Sequence, residues 1–367
     1  MKKSRMGLTL KYAPLYLRGF SEYHCKKHFG TLAPRELMFP VTYKCNSRCV
    51  MCNIWKLPKK NELSLQQIEQ VLSDELFKGI QAINLTGGEP TLREDIVQVA
   101  RVLVDKLPEL KKITLTTNAL NTSRVTKSCV EIAEVSNKRG VDFLVEASLD
   151  GIGNVHDAVR NVQNAFGKTS KTIFKIVQLS KRHRFRFGIN TVISPINLRD
   201  VPNVYEWCKR RSIDVFFTVA SIAENYFSNV GEEHLQVKAE EKEYLTDFLE
   251  ELANRKSTRN FLSYYYHDLT KMIRDGKPRT TPCVFAFDAF ILDAYGDLYY
   301  CVHGKRIGNC LGRNCSDIYF DPKNLAHRNE VIQNKCARCF MNCFSSIGLG
   351  KELIKYTRFL LSRSLVR

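Results

Sequence analysis

The chain has 367 residues, 44% of them hydrophobic, which is enough for one large domain with a smaller one beside it. No apolar run approaches the roughly 18–20 residues that span a bilayer, and no signal peptide is recognisable, so we predict a cytoplasmic protein. The net charge of +18 suits an anionic membrane surface, an acidic substrate or simple solubility. Nucleic acid is not favoured as a partner, because no RNA-binding module is recognisable.

Thirteen cysteines are an odd number for a chain without an export signal, which argues against a disulfide framework and for metal or redox chemistry. Ten of them fall in two groups, within residues 45–52 and 283–343. The remaining three, Cys25, Cys129 and Cys208, are interpreted as small buried side chains.

Residues 1–37 form a basic N-terminal extension. Leu8–Phe29 mixes aromatic, leucine and basic residues, which suits either an interfacial helix on an anionic membrane or a helix packed on the following domain. Peripheral membrane contact through the basic ends therefore stays open. The extension is too short for a winged-helix domain that binds a leader peptide, which argues against a peptide substrate with a large leader.

Residues 38–235 alternate β-branched runs with amphipathic stretches. This alternation predicts an α/β fold with a parallel sheet, and six units fit a partial (β/α)6 TIM-type barrel rather than a closed eightfold one. The predicted strands are 39–43, 81–86, 112–117, 142–148, 186–193 and 214–219. The predicted helices are 64–77, 94–106, 123–138, 168–181 and 200–210, with Ser64 as an N-cap and Pro202 in a first turn.

Polar motifs follow the first four strands, where the carboxyl ends of parallel strands meet at one rim. In chain order they are the cysteines of "YKCNSRCVMC", then "TGGEP" (Thr86–Pro90), "TNA" (Thr117–Ala119) and "SLDG" (Ser148–Gly151). We expect the four motifs to form one site.

Cys45, Cys49 and Cys52 suit three corners of a four-iron cluster, because thiolate is the usual ligand of iron–sulfur clusters. The fourth iron would have no protein ligand, and an open coordination position is typical of a catalytic metal site. A structural zinc site would need a fourth ligand, and no cysteine or histidine lies between Cys52 and Cys129.

The Cys-x3-Cys-x2-Cys spacing after the first strand, followed by Gly87-Gly88-Glu89-Pro90 after the second, resembles the radical S-adenosylmethionine (SAM) superfamily. The resemblance covers about residues 38–220. It implies a [4Fe–4S] cluster that binds SAM, reductive cleavage of SAM to a 5′-deoxyadenosyl radical, and an external electron donor of the flavodoxin or ferredoxin type. Cys45, Cys49 and Cys52 are then the catalytic cluster ligands.

The resemblance also implies a set of SAM-binding residues on the same rim. Arg160, in "HDAVR", could pair with the SAM carboxylate, and the paired glycines of "TGGEP" would let backbone approach the ligand. Surface or structural roles stay open as alternatives, above all for the asparagines. The predicted set is Gly87, Gly88, Glu89, Pro90, Asn118, Ser148, Asp150, Arg160 and Asn190.

Residues 236–280 are predicted to be a helical connector, and 281–346 a small cysteine-rich domain with little helical periodicity. Cys283 and Cys301 flank a hairpin with Gly296 at its turn, and Cys336-x2-Cys339 follows with Cys343. This arrangement resembles the SPASM and Twitch auxiliary-cluster domains of the same superfamily. It implies one auxiliary [4Fe–4S] cluster held by Cys283, Cys301, Cys336 and Cys339.

The SPASM pattern is incomplete here, because its Cys-x5 spacing is missing. A second auxiliary cluster that uses Cys310, Cys315 and Cys343 stays open, as does a structural zinc ribbon. Residues 347–367 are predicted to form a basic C-terminal helix. Aromatic residues at 216–227 and 263–268 are interpreted as core packing, with a substrate cavity as the alternative.

The sequence thus predicts a radical SAM enzyme that abstracts hydrogen from a small or lipid-linked molecule, with an auxiliary cluster aiding electron transfer. The first alternative is an enzyme that modifies a ribosomally made peptide; a nucleic-acid-modifying enzyme is less favoured. An electron-transfer protein without SAM cleavage would leave "TGGEP" and "SLDG" unexplained.

Overall fold

The computed structural model describes residues 33–58, 60–255, 261–281, 283–341 and 355–359. The N-terminal segment Leu8–Phe29, Cys25, Cys343 and most of the predicted C-terminal helix lie outside these residues. Two compact units are present: one comprises Ala33–Val237 and Ala289–Val331, and the other Lys238–Asp288 and the described part of Ile332–Arg367. The domain boundaries drawn from the sequence stay a prediction.

One nine-stranded sheet organises the first unit, in the order β6-β5-β4-β3-β2-β1-β7-β8-β9. The strands are β1 Glu36–Thr42, β2 Ala82–Gly87, β3 Lys112–Thr117, β4 Asp142–Ser148, β5 Arg186–Ile193, β6 Asp214–Val219, β7 Ala289–Leu292, β8 Asp297–Tyr299 and β9 Gly308–Asn309. Strands β1 to β7 pair in parallel, whereas β8 and β9 add antiparallel. Within the described residues the sheet does not close, so the predicted partial α/β barrel is confirmed.

The α-helices follow the βα alternation that the sequence predicts. They are α1 Leu65–Leu72, α2 Ile96–Lys106, α3 Thr122–Lys138, α4 Asn154–Arg160, α5 Ala165–His183, α6 Val201–Lys209, α7 Ala239–Asn254, α8 Phe261–Asp275, α9 Cys315–Phe320 and α10 Pro322–Lys335. Ser64 caps α1 in a capping box with Gln67, as its position predicts. No helix in the described ranges is both long and apolar enough to cross a membrane.

The hydrophobic core lies between the outer face of the sheet and the helices. Alternate strand residues such as Leu85, Leu115 and Val145 are fully buried there against Val99 and Ile132 of the helices. Because strand side chains alternate between faces, the neighbouring residues point to the inner face of the sheet. This register decides which side chains can line the interior of the barrel.

The segment 289–331 agrees with its sequence-based interpretation in its hairpin and differs from it in two other ways. Its hairpin forms as predicted, with Gly296 in the left-handed region (φ +83°) and Asp293 Oδ1 accepting from the backbone N–H of Tyr295 and Asp297. However, β7 extends the barrel sheet beside β1, and α9 and α10 are helices where little helical periodicity is visible. Only Arg328 and Val331 of α10 are buried, so α10 carries no apolar stripe that a sequence pattern could show.

Candidate functional site

The loop after β1 carries Cys45, Cys49 and Cys52, all half-buried. Two backbone hydrogen bonds of 3.1 and 3.0 Å tie this loop to the end of α4: Arg48 N to Arg160 O, and Val50 N to Val159 O. Residues about 110 positions apart are thereby held together. The conformation of the cysteine loop therefore depends on α4 as well as on β1.

Three polar side chains contact the cysteine sulfurs, and two of them, Arg160 and Asn118, direct N–H donors toward sulfur. The Ser47 hydroxyl lies 3.0 Å from Cys49 Sγ, and Arg160 Nη1 donates to the same sulfur at 3.5 Å. Asn118 Nδ2 lies 3.9 Å from Cys45 Sγ. Hydrogen bonds to thiolate sulfur stabilise its negative charge and tune iron–sulfur clusters. The donor set and its surroundings thus fit an iron–sulfur cluster at three corners.

Two thiols of this loop, those of Cys45 and Cys52, are protonated at neutral pH in the absence of a metal. Burial raises the pKa of Cys45 to about 11 and that of Cys52 to about 12, and the neighbouring Cys49 adds to both shifts. Metal binding needs the thiolate form, so cluster assembly must release protons from this loop.

A buried ion pair stands behind the cysteine loop. Asp150, fully buried, lies with Oδ2 2.5 Å from Arg160 Nη2, and its Oδ1 accepts from Val192 N at 2.8 Å. Its own N–H donates to His156 Nδ1 at 3.0 Å. Burial, together with the Arg160 charge, holds the pKa of His156 well below its ordinary value, so the ring is neutral and can accept this bond. The pair fixes the guanidinium that reaches Cys49.

Glu89 lies in the same region, but its carboxylate is buried and points into the protein. Its Oε1 accepts from Thr91 N, Thr91 Oγ1 and Thr117 Oγ1 at 3.2, 2.6 and 2.8 Å, and its Oε2 accepts from Asn118 N at 2.7 Å. Burial raises the pKa of Glu89, while these hydrogen bonds oppose the rise. Two of these donors, Thr117 Oγ1 and Asn118 N, belong to the "TNA" loop, so Glu89 links the "TGGEP" loop to the "TNA" loop.

The two glycines of "TGGEP" have a structural reason to be glycine. A Cβ on Gly87 would lie 2.1 Å from Thr42 O, and one on Gly88 would lie 2.2 Å from Lys44 O. Gly88 N and Glu89 N each donate to these same carbonyls at 2.8 Å. The close approach is thus to the backbone that leads into the cysteine loop. Pro90 follows, buried, at the start of a 3₁₀ turn.

The remaining predicted residues lie at the ends of β4 and β5. Ser148 is in register with Asn190, and Leu149 N donates to Asn190 O at 3.0 Å. Asn190 Oδ1 is buried without a hydrogen-bond partner among the described residues. Buried polar atoms are usually satisfied, so this oxygen suits a ligand donor such as an amine or hydroxyl.

The inner face of the sheet below this layer is polar. Thr116 Oγ1 donates to Asn84 Oδ1 at 3.1 Å, and Glu146 lies in register with Thr116 on one side and with Gly188 on the other. Burial raises the pKa of Glu146, and the charges of Lys112 and Arg186 oppose the rise. Polar residues on this face argue for a polar substrate group inside the barrel.

A loop after β6, residues 220–237, completes the mouth of the barrel; we call it the β6 strap. Asn229 Nδ2 donates to Met51 O at 2.9 Å, and Asn53 N donates to Phe227 O at 2.8 Å. The Tyr226 hydroxyl lies 2.9 Å from Thr86 Oγ1. The strap therefore contacts both the cysteine loop and the "TGGEP" loop.

The auxiliary cysteines divide between the two compact units, each of which is described by itself. Cys301 lies after β8 in the barrel unit, whereas Cys283, Cys336 and Cys339 belong to the other unit. In that unit the pKa of Cys339 is raised, mainly by burial and in addition by the nearby Cys283 thiol. All four are half-buried.

Two side chains of the second unit order its cysteine segments. The Asp268 carboxylate on α8 accepts from four donors at 3.1 Å or less, the backbone N–H and the hydroxyl of Thr280 and of Thr281, just before Cys283. Arg279 Nη1 donates to Cys339 O at 3.2 Å and to Met341 O at 2.9 Å. Arg279 directly precedes Thr280 and Thr281. The segment that leads to Cys283 and the segment around Cys339 are thus both held at residues 279–281.

Other cysteines pack in the hydrophobic core. Cys310 and Cys315 are buried beside each other in the barrel unit, and Cys315 N donates to Asp74 Oδ2 at 2.7 Å. Cys129 and Cys208 are fully buried, which confirms their interpretation as small core side chains.

Several residues of the site were not assigned from the sequence. Ser47 lies inside the cysteine motif and His156 inside "HDAVR", so both were adjacent to recognised signals. Tyr226 belongs to an aromatic run interpreted as core packing, an interpretation that Tyr264–Tyr266 satisfy with 1–6% exposure. Asn229 and Glu146 carry no local signal, because their partners lie far away in the chain.

Comparison with known proteins identifies a domain in this chain. Residues 39–208 match the radical SAM superfamily. The chain carries a radical SAM domain. This domain is typical of a superfamily of enzymes whose members use a [4Fe–4S] cluster and SAM together with a substrate and an electron donor.

Curated relatives of the radical SAM domain include GTP 3′,8-cyclases. The protein from Rhizobium etli (strain CIAT 652) is 29% identical over 217 residues, which are 58% of each chain. The one from Synechocystis sp. is 28% identical over 187 residues, 50% of this chain and 53% of that one. This chain therefore spans about half the length of the curated relatives that it matches.

Solved structures show the same fold over most of the chain. Native anSMEcpe with bound SAM has a TM-score of 0.59 at 18% identity and covers 90% of this chain and 100% of its own. SuiB of Streptococcus suis bound to SAM has a TM-score of 0.57 at 16% identity and covers 95% and 83%. At these identities the likeness establishes the fold alone.

Proposed function

We propose that this protein cleaves SAM reductively and uses the resulting radical to abstract hydrogen from a substrate. In this proposal Cys45, Cys49 and Cys52 hold a [4Fe–4S] cluster with one open iron. One observation supports the proposal most directly. In the region that matches the radical SAM superfamily, Arg160 of α4 and Asn118 of the loop after β3 direct N–H groups toward the sulfurs of Cys49 and Cys45. A bound cluster and SAM supply the 5′-deoxyadenosyl radical at this rim.

The neighbouring residues are proposed to bind and orient SAM. Asn190, whose Oδ1 has no described partner, and Ser148 beside it would accept or donate to the polar groups of SAM. The backbone of Gly87–Pro90 and the side chain of Asn118 would face the same ligand. Asp150 orients Arg160, and Glu89 orients the Asn118 backbone, so these two carboxylates act through their neighbours.

The one auxiliary [4Fe–4S] cluster that the sequence predicts stays a proposal, and its support lies within the second unit. The proximity of Cys283 to Cys339, and the anchoring of both segments by Arg279 and Asp268, support it. This cluster would accept or relay an electron during substrate turnover. A second auxiliary cluster is disfavoured, because Cys310 and Cys315 are buried in the hydrophobic core.

The proposed substrate is a small molecule, free or lipid-linked, with a polar group near the attacked carbon. Asn84, Thr116 and Glu146 on the inner face of the sheet favour such a group, and the curated relatives are named for a nucleotide, GTP. GTP is therefore the first compound to test. The basic chain ends leave room for peripheral membrane contact, and a flavodoxin- or ferredoxin-type protein is the proposed electron donor.

A peptide substrate is the second candidate. Its support is that solved structures of the same fold, over 90% or more of this chain, hold peptides: anSMEcpe with a bound peptide, and SuiB with its precursor peptide SuiA. The polar inner face would then receive a single side chain of the peptide.

The direct test is an assay for 5′-deoxyadenosine with anaerobically reconstituted protein, SAM and dithionite. We expect a slow production of 5′-deoxyadenosine without substrate, and a faster one when a true substrate is added. GTP and a panel of peptides are compared in parallel, so the two substrate classes are separated in one experiment. A protein that binds zinc in place of iron, and forms no 5′-deoxyadenosine, would refute the proposed function.

Replacing Cys283 or Cys336 with Ala tests the auxiliary cluster. We expect iron to fall by about four atoms per chain, since a cubane holds four irons. Substrate-independent SAM cleavage should persist, because the cysteine loop after β1 is unchanged, while substrate turnover stops. Iron analysis and the 5′-deoxyadenosine assay measure both effects. Cys208→Ala, in the core of α6, is the matched control and should retain all its iron; unchanged iron in Cys283→Ala would contradict the assignment.

A further inference from the structure

Tyr226 of the β6 strap reaches across the mouth of the barrel. It follows β6, the edge strand, whereas its hydroxyl contacts Thr86 and Gly87 at the end of β2. Strands β5, β4 and β3 separate β6 from β2 in the sheet. The contact therefore joins two parts of the rim that the backbone hydrogen bonds of the sheet do not connect.

The chemistry of the phenol matches its surroundings. A tyrosine hydroxyl has one donor and two acceptor positions. The Tyr226 hydroxyl accepts from Gly87 N at 3.3 Å, and it shares a hydrogen bond of 2.9 Å with Thr86 Oγ1. The loop at Gly87–Gly88 is thus held on one side by Thr42 and on the other by Tyr226.

The backbone of the strap is strained at this point. Tyr226 has φ +65° and Ser228 has φ +48°, a left-handed conformation that residues with a Cβ rarely adopt. Such a conformation persists only where the surrounding contacts hold it, and it occurs often at ligand sites. Here the contacts are those of Asn229 with Met51 O and of Asn53 with Phe227 O, which anchor the strap to the cysteine loop.

We propose that Tyr226 is a positioning residue for SAM: its hydroxyl fixes the Gly87–Gly88 loop relative to the cysteine loop. This inference rests on the proposed function, in which that loop faces SAM. Tyr226 acts through Gly87, so its loss weakens SAM binding without removing a group needed for bond cleavage. The β6 strap thereby links cluster binding, SAM binding and the open edge of the barrel.

Tyr226→Phe removes the hydroxyl and keeps the ring. We expect the dissociation constant of SAM, measured by anaerobic equilibrium dialysis of the reconstituted protein, to rise about three- to tenfold, the range that one neutral hydrogen bond supports. Iron content, the EPR spectrum of the reduced cluster without SAM, and the maximal rate of SAM cleavage should stay within twofold of wild type. Hydrogen exchange of the peptide that covers Gly87 should become faster in the variant.

A double-mutant cycle separates positioning from general damage. Thr86→Val removes one of the two partners of the Tyr226 hydroxyl and should weaken SAM binding by no more than Tyr226→Phe does. The double variant should bind SAM as Tyr226→Phe does, because the hydroxyl is already absent there. Tyr205→Phe on α6, outside the site, is the matched control and should bind SAM as wild type does.

Three outcomes would overturn the inference: wild-type SAM affinity in Tyr226→Phe, additive effects in the double variant, or a loss of iron that parallels the loss of binding. A wild-type protein that binds SAM but forms no 5′-deoxyadenosine would refute the proposed function alone, since the affinity measurements still test Tyr226.

Discussion

Replacing any one of Cys45, Cys49 or Cys52 with Ala is expected to abolish formation of 5′-deoxyadenosine and to lower the iron content by about four atoms per chain. Each cysteine would hold one corner of a cubane, and the half-buried loop offers no fourth cysteine to replace it. Iron analysis, EPR of the reduced protein and product chromatography measure the effect on the same samples.

Cys129→Ala provides the comparison for these variants. Cys129 is fully buried in α3 and packs in the hydrophobic core, so its loss creates a small cavity and leaves the cysteine loop unchanged. We expect full iron content and full SAM cleavage from this variant. A Cys45→Ala protein that keeps its iron and its product would show that the cluster is held elsewhere.

Asp150→Ala is expected to lower the free energy of unfolding by about 3–5 kcal/mol, because it leaves the Arg160 charge buried without its partner. Asp150 is fully buried and Arg160 is 7% exposed, so water cannot compensate. The variant should also lose the orientation of the guanidinium at Cys49 and therefore most of its SAM cleavage. Denaturant unfolding under anaerobic conditions and the 5′-deoxyadenosine assay measure the two effects.

The matched control for Asp150→Ala is Asp105→Ala, which breaks the exposed pair with Arg139. Exposed ion pairs contribute about 1 kcal/mol or less, so this variant should unfold at nearly the wild-type denaturant concentration. Equal destabilisation by the two changes would mean that the buried pair has no special role in holding α4 and the cysteine loop together.

The fold of the barrel could be predicted closely. The predicted strands 112–117, 142–148, 186–193 and 214–219 coincide with β3 to β6, and Ser64 caps its helix as expected. Periodicity and capping act within about ten residues, so they are readable in a linear sequence. The convergence of the rim motifs was predictable for the same reason, since it follows from strand direction alone.

Glu89 and the glycines of "TGGEP" show where prediction from sequence ended. Their assignment to the SAM site stays a prediction, and the structure adds contacts that the motif did not show: Glu89 accepts from Thr91, Thr117 and Asn118, and the glycines approach the backbone of residues 42–44. A motif identifies which residues gather at a site. It does not indicate whether a side chain points to the ligand or to a neighbouring loop.

The sequence by itself determined the parallel α/β sheet, the rim on which the polar motifs meet and the grouping of the cysteines, because each of these follows from short-range patterns. Only the tertiary structure decided the Asp150–Arg160 pair behind Cys49, the addition of β7–β9 to the sheet, and the crossing of the β6 strap from Tyr226 to Gly87. The last two join residues more than a hundred positions apart. Contacts of that kind depend on packing in three dimensions. They produce no periodic pattern in a single sequence.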